Sequence, residues 1–566
     1  MLEHITFLTY LFLFLFSIIG YGFVFSRVFC KDLNVLDFGC QGIIGFFFLY
    51  TISLLTTFFF AHGYIFNSVI HSFGIISFLY FFNKNKISFS KESKNILILS
   101  LILLVGIYVF KNHDDFPYYH LTYSLNLSEN AFIVGTGSFS HGFRTFSSLF
   151  YYHSTLYMPF IKYYLFHIGP FLILLFFNLI ILKKLFENYR LKKFDFIYFF
   201  SLLSFIFINI VFYRIGEHGT DRSAQILLVL IFLLFFEINY FEKKHKVIFA
   251  KTCLLLVLVF LASSMKAIYY LYLLLIPVIL IKNKFFFIFF EKKNFLLITI
   301  LSSSLFLNLI TFYLNTGCFL YPAERTCIIE REWSVPKKEV RVMSTHYEWW
   351  AKAGGGPNYQ HEIKKEEYVK NFVWLQNWIE RHFFNKVSDT LFGIAFICLF
   401  TYVLFWYFKK QKKPPKEKID NISYLIILLF FLEWFLNHPS MRYGGYILVA
   451  LPLIVFTSSN LSKLFLDKKK VYYLSIFLII LTFTIYNARN VSRINKEIKV
   501  YNYDLIKSPY FFVDKVTSKK VVSNDNLNIY QPQENKMCWA SKTPCSYGKN
   551  IKIEKFLWMN MVYRYD

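Results

Sequence analysis

The chain has 566 residues, of which 56% are hydrophobic, 22% aromatic and only 17% charged, with a mean hydropathy of +0.44. Soluble domains carry about 25% charged residues and lack apolar runs of some 20 residues, so the composition excludes a soluble globular protein and indicates a polytopic membrane protein. The net charge of +26 does not signal nucleic acid, because the lysines cluster in short loops between apolar runs, where the positive-inside rule places them.

About fourteen runs are long and apolar enough to span a bilayer. They fall at roughly 5–28, 39–61, 63–82, 95–110, 164–183, 194–213, 223–241, 247–264, 266–282, 295–314, 389–408, 422–437, 443–459 and 471–487. Lysine and arginine clusters at 84–94, 183–193, 243–246, 282–293, 409–418 and 463–470 all fall on one side of that alternation. The chain is therefore expected to cross a plasma membrane many times, with those loops cytoplasmic and the others outside, periplasmic in a bacterial inner membrane such as the resemblance described below implies. Met1-Leu-Glu-His lacks a positive n-region and the first run is long enough to span, so no removable signal peptide is expected.

The domain reading follows the loops. Residues 1–110 are N-terminal transmembrane helices, and 111–163 form a periplasmic loop rich in acidic and aromatic residues. A transmembrane core at 164–314 and a small α/β periplasmic domain at 315–388 come next. The chain closes with transmembrane helices at 389–487 and a polar periplasmic tail at 488–566 that carries modest strand and turn signals. In the first loop Asp114 and Asp115 directly follow an apolar run. Adjacent carboxylates at a membrane helix mouth are costly to desolvate and must sit in water or a polar cavity. Pro117 drives Phe116 out of the helical region, which puts the pair on a turn. Residues 118–126 read as an interfacial amphipathic helix. Gly354-Gly355-Gly356-Pro357 reads as a flexible loop, and the Trp-rich run at Trp349 as a small hydrophobic core.

Of the 8 Cys, four come as close pairs in outer segments, Cys318 with Cys327 and Cys538 with Cys545. Disulfides are expected for both in an oxidising compartment, since neither pair has zinc spacing. Arg144, Arg222, Lys266 and Arg442 stand at outer helix mouths, and Lys266 lies in an otherwise apolar stretch, so it needs an anionic partner or a snorkelling route. The bland alternatives are helix capping by the two aspartates, a surface ion pair between Asp221 and Arg222, and a simple turn at Tyr321-Pro322. His113, His120, His141 and His218 match no metal template. No phosphate-binding loop, dinucleotide fingerprint or nucleophile elbow occurs, which argues against an ATP-driven pump.

Several of these motifs occur in a recognisable order. The acidic loop is followed by Thr220-Asp221-Arg222, Ser264-Met265-Lys266, Leu320-Tyr321-Pro322, Asn437-His438-Pro439-Ser440-Met441-Arg442-Tyr443-Gly444 and the segment from Cys538 to Cys545. That order resembles a family of bacterial polytopic membrane proteins of unassigned function, associated with surface-polysaccharide gene clusters and more distantly similar to the GT-C glycosyltransferases. The resemblance implies an all-α GT-C-like fold and an enzyme that takes a sugar from a polyprenyl-phosphate donor to a glycan or lipid acceptor. It implies Asp114 or Asp115 as general base, with His120, Arg144, Asp221, Arg222, Lys266, Tyr321, His438 and Arg442 as substrate-binding candidates. The acidic loop follows about the fourth span, where GT-C enzymes have it after the first; extra N-terminal helices would account for that.

The chemistry agrees with the resemblance. Glycosyl transfer needs a carboxylate to take the acceptor proton and positive charge for the departing phosphate. Mutual repulsion of paired carboxylates would raise one pKa. The residues point to no certain cofactor, although the two aspartates could ligate a divalent cation. An O-antigen polymerase or ligase, and a flippase for lipid-linked oligosaccharide, are the alternatives; the flippase is disfavoured because no internal repeat is apparent.

Overall fold

A computed structural model describes residues 1–35, 37–84, 86–217, 219–242, 244–283, 291, 294–355, 363–409, 421–464, 466–524, 527–533, 537–548 and 550–565. His218, Gly356-Pro357, Lys243, Lys284, Lys292, Lys293 and the cluster from 410 to 418 lie outside the described residues. Among those described, ten helices are long and apolar enough to cross a membrane. They are Leu2–Val28, Phe38–Thr56, Tyr64–Lys84, Ile168–Arg190, Thr220–Phe241, His245–Met265, Phe295–Thr316, Leu375–Tyr407, Gly445–Ser462 and Lys468–Tyr501. The runs expected at 194–213, 266–282 and 422–437 fall on the shorter apolar helices Phe196–Val211, Ala267–Asn283 and Asn421–Asn437. The run at 95–110 is helical only to Leu103, within Lys86–Leu103, and then tightens into a single turn at Leu104–Gly106. The protein is thus a mostly helical, multi-pass membrane protein with a small sheet.

Close packing of the N-terminal helices rests on small residues, as expected where lipid supplies no hydrophobic drive between helices. A side chain at Gly20 would collide with the Gly74 carbonyl, and one at Gly45 with the Ile18 carbonyl, so Leu2–Val28 lies tight against both Tyr64–Lys84 and Phe38–Thr56. Buried hydrogen bonds fix the register: Ser17 Oγ to His71 Nδ1 at 3.0 Å, Ser26 to Gln41 at 2.8 Å, and the Tyr21 hydroxyl to the Ile70 carbonyl at 2.9 Å.

The two ends of the bundle differ in charge chemistry. Thr220–Phe236 runs between them and packs on His245–Met265. At its C-terminal end Glu237 pairs with Lys184 and, at 3.2 Å, with Lys251; nearby Lys183 holds Glu92 at 2.9 Å. Its N-terminal end carries Asp221, against Lys266 at the far end of His245–Met265. Among the described residues, Lys183, Lys184 and Lys251 therefore gather at one end and the acidic loop, with Arg442, at the other.

Strand formation departs from expectation. No strand occurs among the described residues of 315–388, whose regular elements are helices joined by turns, with Lys337–Lys352 the longest helix before Leu375–Tyr407. The strands belong to the tail: β2 (Ser518–Asn524) pairs antiparallel with β3 (Leu527–Pro532), and β4 (Ile551–Phe556) with β5 (Met559–Arg564). β5 also pairs in parallel with the short β1 (Ile133–Val134) of the first loop, so the tail folds onto that loop instead of standing apart. The last helix runs to Tyr501, well past the expected 487, because the i,i+4 pair Arg493–Glu497 (3.0 Å) stays buried and carries the helix onward. Residues 118–126, expected at an interface, lie in the helical stretch from Phe116 to Glu129, whose second part is buried beneath the tail. Both expected disulfides, Cys318–Cys327 and Cys538–Cys545, are formed.

Candidate functional site

Four charged side chains from four separate segments meet at the end away from Lys183, Lys184 and Lys251. Asp221 sits in the first turn of Thr220–Phe236, where the helix dipole favours a carboxylate. Lys266 follows the last residue of His245–Met265 in an extended conformation, which throws its side chain back onto Asp221 Oδ1. Arg442 donates Nε to Asp221 Oδ2 at 2.8 Å and Nη2 to Asp115 Oδ2 at 3.5 Å. One guanidinium thus bridges the two aspartates, a role its planar fork suits and a lysine could not fill.

The Arg442 loop is built for position. Met441–Tyr443 forms one helical turn, and Gly444, at φ +94°, reverses the chain into Gly445–Ser462. A side chain at that φ would be strained, so glycine fits there. The indoles of Trp378 and Trp434 donate to the carbonyls of Pro439 and Ser440 at 2.6 and 3.0 Å, and Gln225 donates to those of Met441 and Arg442. Aromatic faces complete the cluster: Arg442 lies 4.9 Å over Trp350, and Lys266 lies 4.2 Å over Tyr443.

The acidic pair divides. Asp115 occupies the N-cap position of the turn Phe116–His120, with Pro117 in its first turn, yet its side chain makes no capping bond. Capping is therefore not what this carboxylate does; it turns to Arg442 instead. Asp114 is exposed and lines a separate cavity. Pro117 falls in the first turn of the helix that Phe116 opens, a place proline tolerates well, so Phe116 is helical where Pro117 was expected to drive it out of the helical region.

Asp115 does not carry the raised pKa that paired carboxylates suggested. Burial pushes it up, but the neighbouring His120, Arg442 and His113 outweigh burial and hold it below the usual carboxylate range. His120 is itself driven by burial to about 3, so it is neutral near pH 7 and Arg442 is the charge that acts. His113 Nδ1 accepts from the Asp115 amide at 3.1 Å, which fixes the neutral tautomer with its proton on Nε2; burial lowers its pKa too.

Other expected site residues lie elsewhere. Arg222 does not pair with Asp221: it donates to the Arg214 carbonyl and faces Glu217 at 3.8 Å. Arg144 is buried, donating to the Gly137 carbonyl at 2.9 Å and to Glu339 at 2.8 Å, so it fastens the first loop to Lys337–Lys352. Tyr321, in a turn, stands beside it. His438 is 3.9 Å from Glu433 and packs near Tyr443 at 6.0 Å, at the cluster's edge. His120 is buried against His113, Tyr119 and Phe150. Trp349 is buried as a core residue, while its neighbour Trp350 reaches the site. Among the described residues no three His, Cys, Asp or Glu groups converge to hold a metal ion.

The sequence reading passed over Gln225 and the Arg493–Glu497 pair, and took Trp350 only as part of the Trp-rich run. Glu497 accepts from the Phe110 amide at 2.8 Å and Arg493 donates to the Tyr108 carbonyl at 2.6 Å, so the last helix anchors the strand of chain leading to Asp114 and Asp115. The cluster as a whole offers a half-exposed, ionised carboxylate beside a fixed guanidinium, which suits proton abstraction next to an anion. No curated protein and no solved structure matches the chain. The chain belongs to the family described as a domain of unknown function, DUF8201, whose model matches residues 4–449 and so takes in Asp114, Asp115, Asp221, Lys266 and Arg442.

Proposed function

We propose that the protein is a GT-C-like glycosyltransferase of the bacterial inner membrane, with about fourteen spans and its charged cluster at the periplasmic face. It would transfer a sugar from a polyprenyl-phosphate donor during surface-glycan synthesis. The observation that carries this reading is the state of Asp115: at an N-cap position it forgoes capping and faces Arg442 at 3.5 Å, half-buried and ionised. In the proposed step the acceptor hydroxyl oxygen forms a bond to the anomeric carbon while Asp115 takes the proton. The bond from that carbon to the phosphate oxygen breaks, and the electron pair leaves with the lipid phosphate. Arg442 and Lys266 are the cations for that phosphate, exchanging part of their hold on Asp221 as it arrives. Sidedness is supported by the gathering of Lys183, Lys184 and Lys251 at the opposite end of the bundle. The two disulfides suit an oxidising compartment on the cluster's side.

The test is a deletion strain of the source bacterium, complemented with the intact gene, Asp115→Asn or Arg442→Ala, with membrane levels checked. The expected result is a shortened or missing surface glycan that the intact gene restores and neither variant does. An unaltered glycan in the deletion strain would overturn the proposal.

A further inference from the structure

A cavity of about 390 Å³ opens beside the cluster, within the size range of small-ligand sites. Aromatic side chains Phe110, Tyr501, Phe512 and Trp539 line it together with Asn112 and Asp114. His113 lines it too, and its Nδ1 is 3.5 Å from Asp115 Oδ2, so the cavity adjoins the candidate base. Three of the aromatic residues come from beyond residue 449, outside the family match. The tail is nevertheless sewn to the acidic loop. The Phe512 amide donates to the Phe110 carbonyl at 3.0 Å, Asn112 donates to the Phe512 carbonyl at 2.7 Å, and the Trp539 amide donates to the Pro117 carbonyl at 3.0 Å.

We infer that this cavity is a carbohydrate subsite, in which the C-terminal tail holds a sugar ring of the acceptor beside Asp115. A sugar ring has an apolar C–H face and a rim of hydroxyls; aromatic faces pack on the first, and carboxylates and amides bind the second. Phe512 and Tyr501 leave 43% and 42% of their surface exposed, so both rings are open to a ligand in the cavity they line. Asn112 Oδ1 is buried with no hydrogen-bond partner among the described residues, an acceptor that a ligand hydroxyl would satisfy and a hydrocarbon chain would not. Trp539 is held at φ +47°, a left-handed backbone costly for a bulky residue, next to the Cys538–Cys545 bridge. Such strain persists where the surroundings impose it and clusters at ligand sites.

This inference rests on the transfer reading, but it is tested by binding alone. The full chain in nanodiscs is mixed with oligosaccharides freed by mild acid from the source bacterium's surface glycan, and saturation transfer to the sugar protons is recorded. Wild type should transfer saturation to the C–H face of one ring. Trp539→Leu and Phe512→Leu should each bind about tenfold more weakly, whereas Trp539→Phe, which keeps an aromatic face, should bind within a few-fold of wild type. Asp115→Asn should still bind. Binding by a protein that proves to transfer nothing would uphold the subsite and sink only the transfer reading. Absence of wild-type binding, or full binding by both Leu variants, would overturn the subsite.

Discussion

Replacing Asp221 with asparagine removes the one anion shared by Lys266 and Arg442, both of which are largely enclosed. The Arg442–Asp221 contact is 2.8 Å long, and Asp221 retains only 13% exposure of its side chain. At an effective dielectric of about 20 the Coulomb attraction at that distance is about 6 kcal/mol, of which desolvation cancels half or more. A net loss of about 2–3 kcal/mol is expected from Asp221→Asn, because two cations are left with one remaining carboxylate, Asp115, for Arg442 alone. Thermal unfolding in detergent, followed by tryptophan fluorescence, should show a melting temperature roughly 2–5 °C lower. The double variant Asp221→Asn with Lys266→Met should recover part of that loss, since the stranded charge is gone. A melting temperature unchanged in Asp221→Asn, or a double variant worse than the sum of the two single ones, would refute the shared-anion geometry.

Three further outcomes follow from other contacts. His120 is neutral in the fold, burial having lowered it to about 3, while the unfolded chain binds a proton below about 6.5. Its contribution to stability is complete above pH 6.5 and is lost as pH falls below it, at up to about 1.4 kcal/mol per pH unit; melting curves should show the decline, and His120→Phe should make it shallower, the rest coming from other histidines lowered by burial, such as His113 and His438. Glu497→Gln weakens the clamp on Phe110 and Tyr108, so hydrogen exchange should rise at 108–112 and glycan synthesis should fall while the protein remains in the membrane. Glu339→Leu strands the buried Arg144 guanidinium at a cost of about 2–3 kcal/mol, given that Glu339 is itself partly exposed, and limited proteolysis should then cut within 111–163 sooner than in wild type.

Membrane character was fully legible in the sequence, because apolar runs of bilayer length have no other common explanation. Ten helices meet the length and apolarity for crossing. The charged cluster was partly legible: Asp115, Asp221, Lys266 and Arg442 each stood out as ions at helix mouths. Their partnership was not, since contacts across 221 and 327 residues of chain leave no local trace. The ion pair between Asp221 and Arg222, weighed as the bland alternative, does not form, because neighbouring helical residues point apart. The end of the last helix was missed because polar residues after 487 looked like tail, when Arg493 and Glu497 neutralise each other inside it. The strand and turn signals of the tail are matched by β2 to β5, whereas the strands expected in 315–388 are absent among its described residues, and β1 left no signal because it has only two residues and exists through its pairing with β5.

The most direct measurement is transfer by the purified protein in nanodiscs, with release of polyprenyl phosphate followed for wild type, Asp115→Asn, Asp115→Glu and Asp114→Asn. Asp115→Asn should abolish release, Asp115→Glu should retain a fraction of it, and Asp114→Asn should keep the rate at saturating acceptor while weakening acceptor use. Wild-type rates in Asp115→Asn would contradict the assignment of Asp115 as the base.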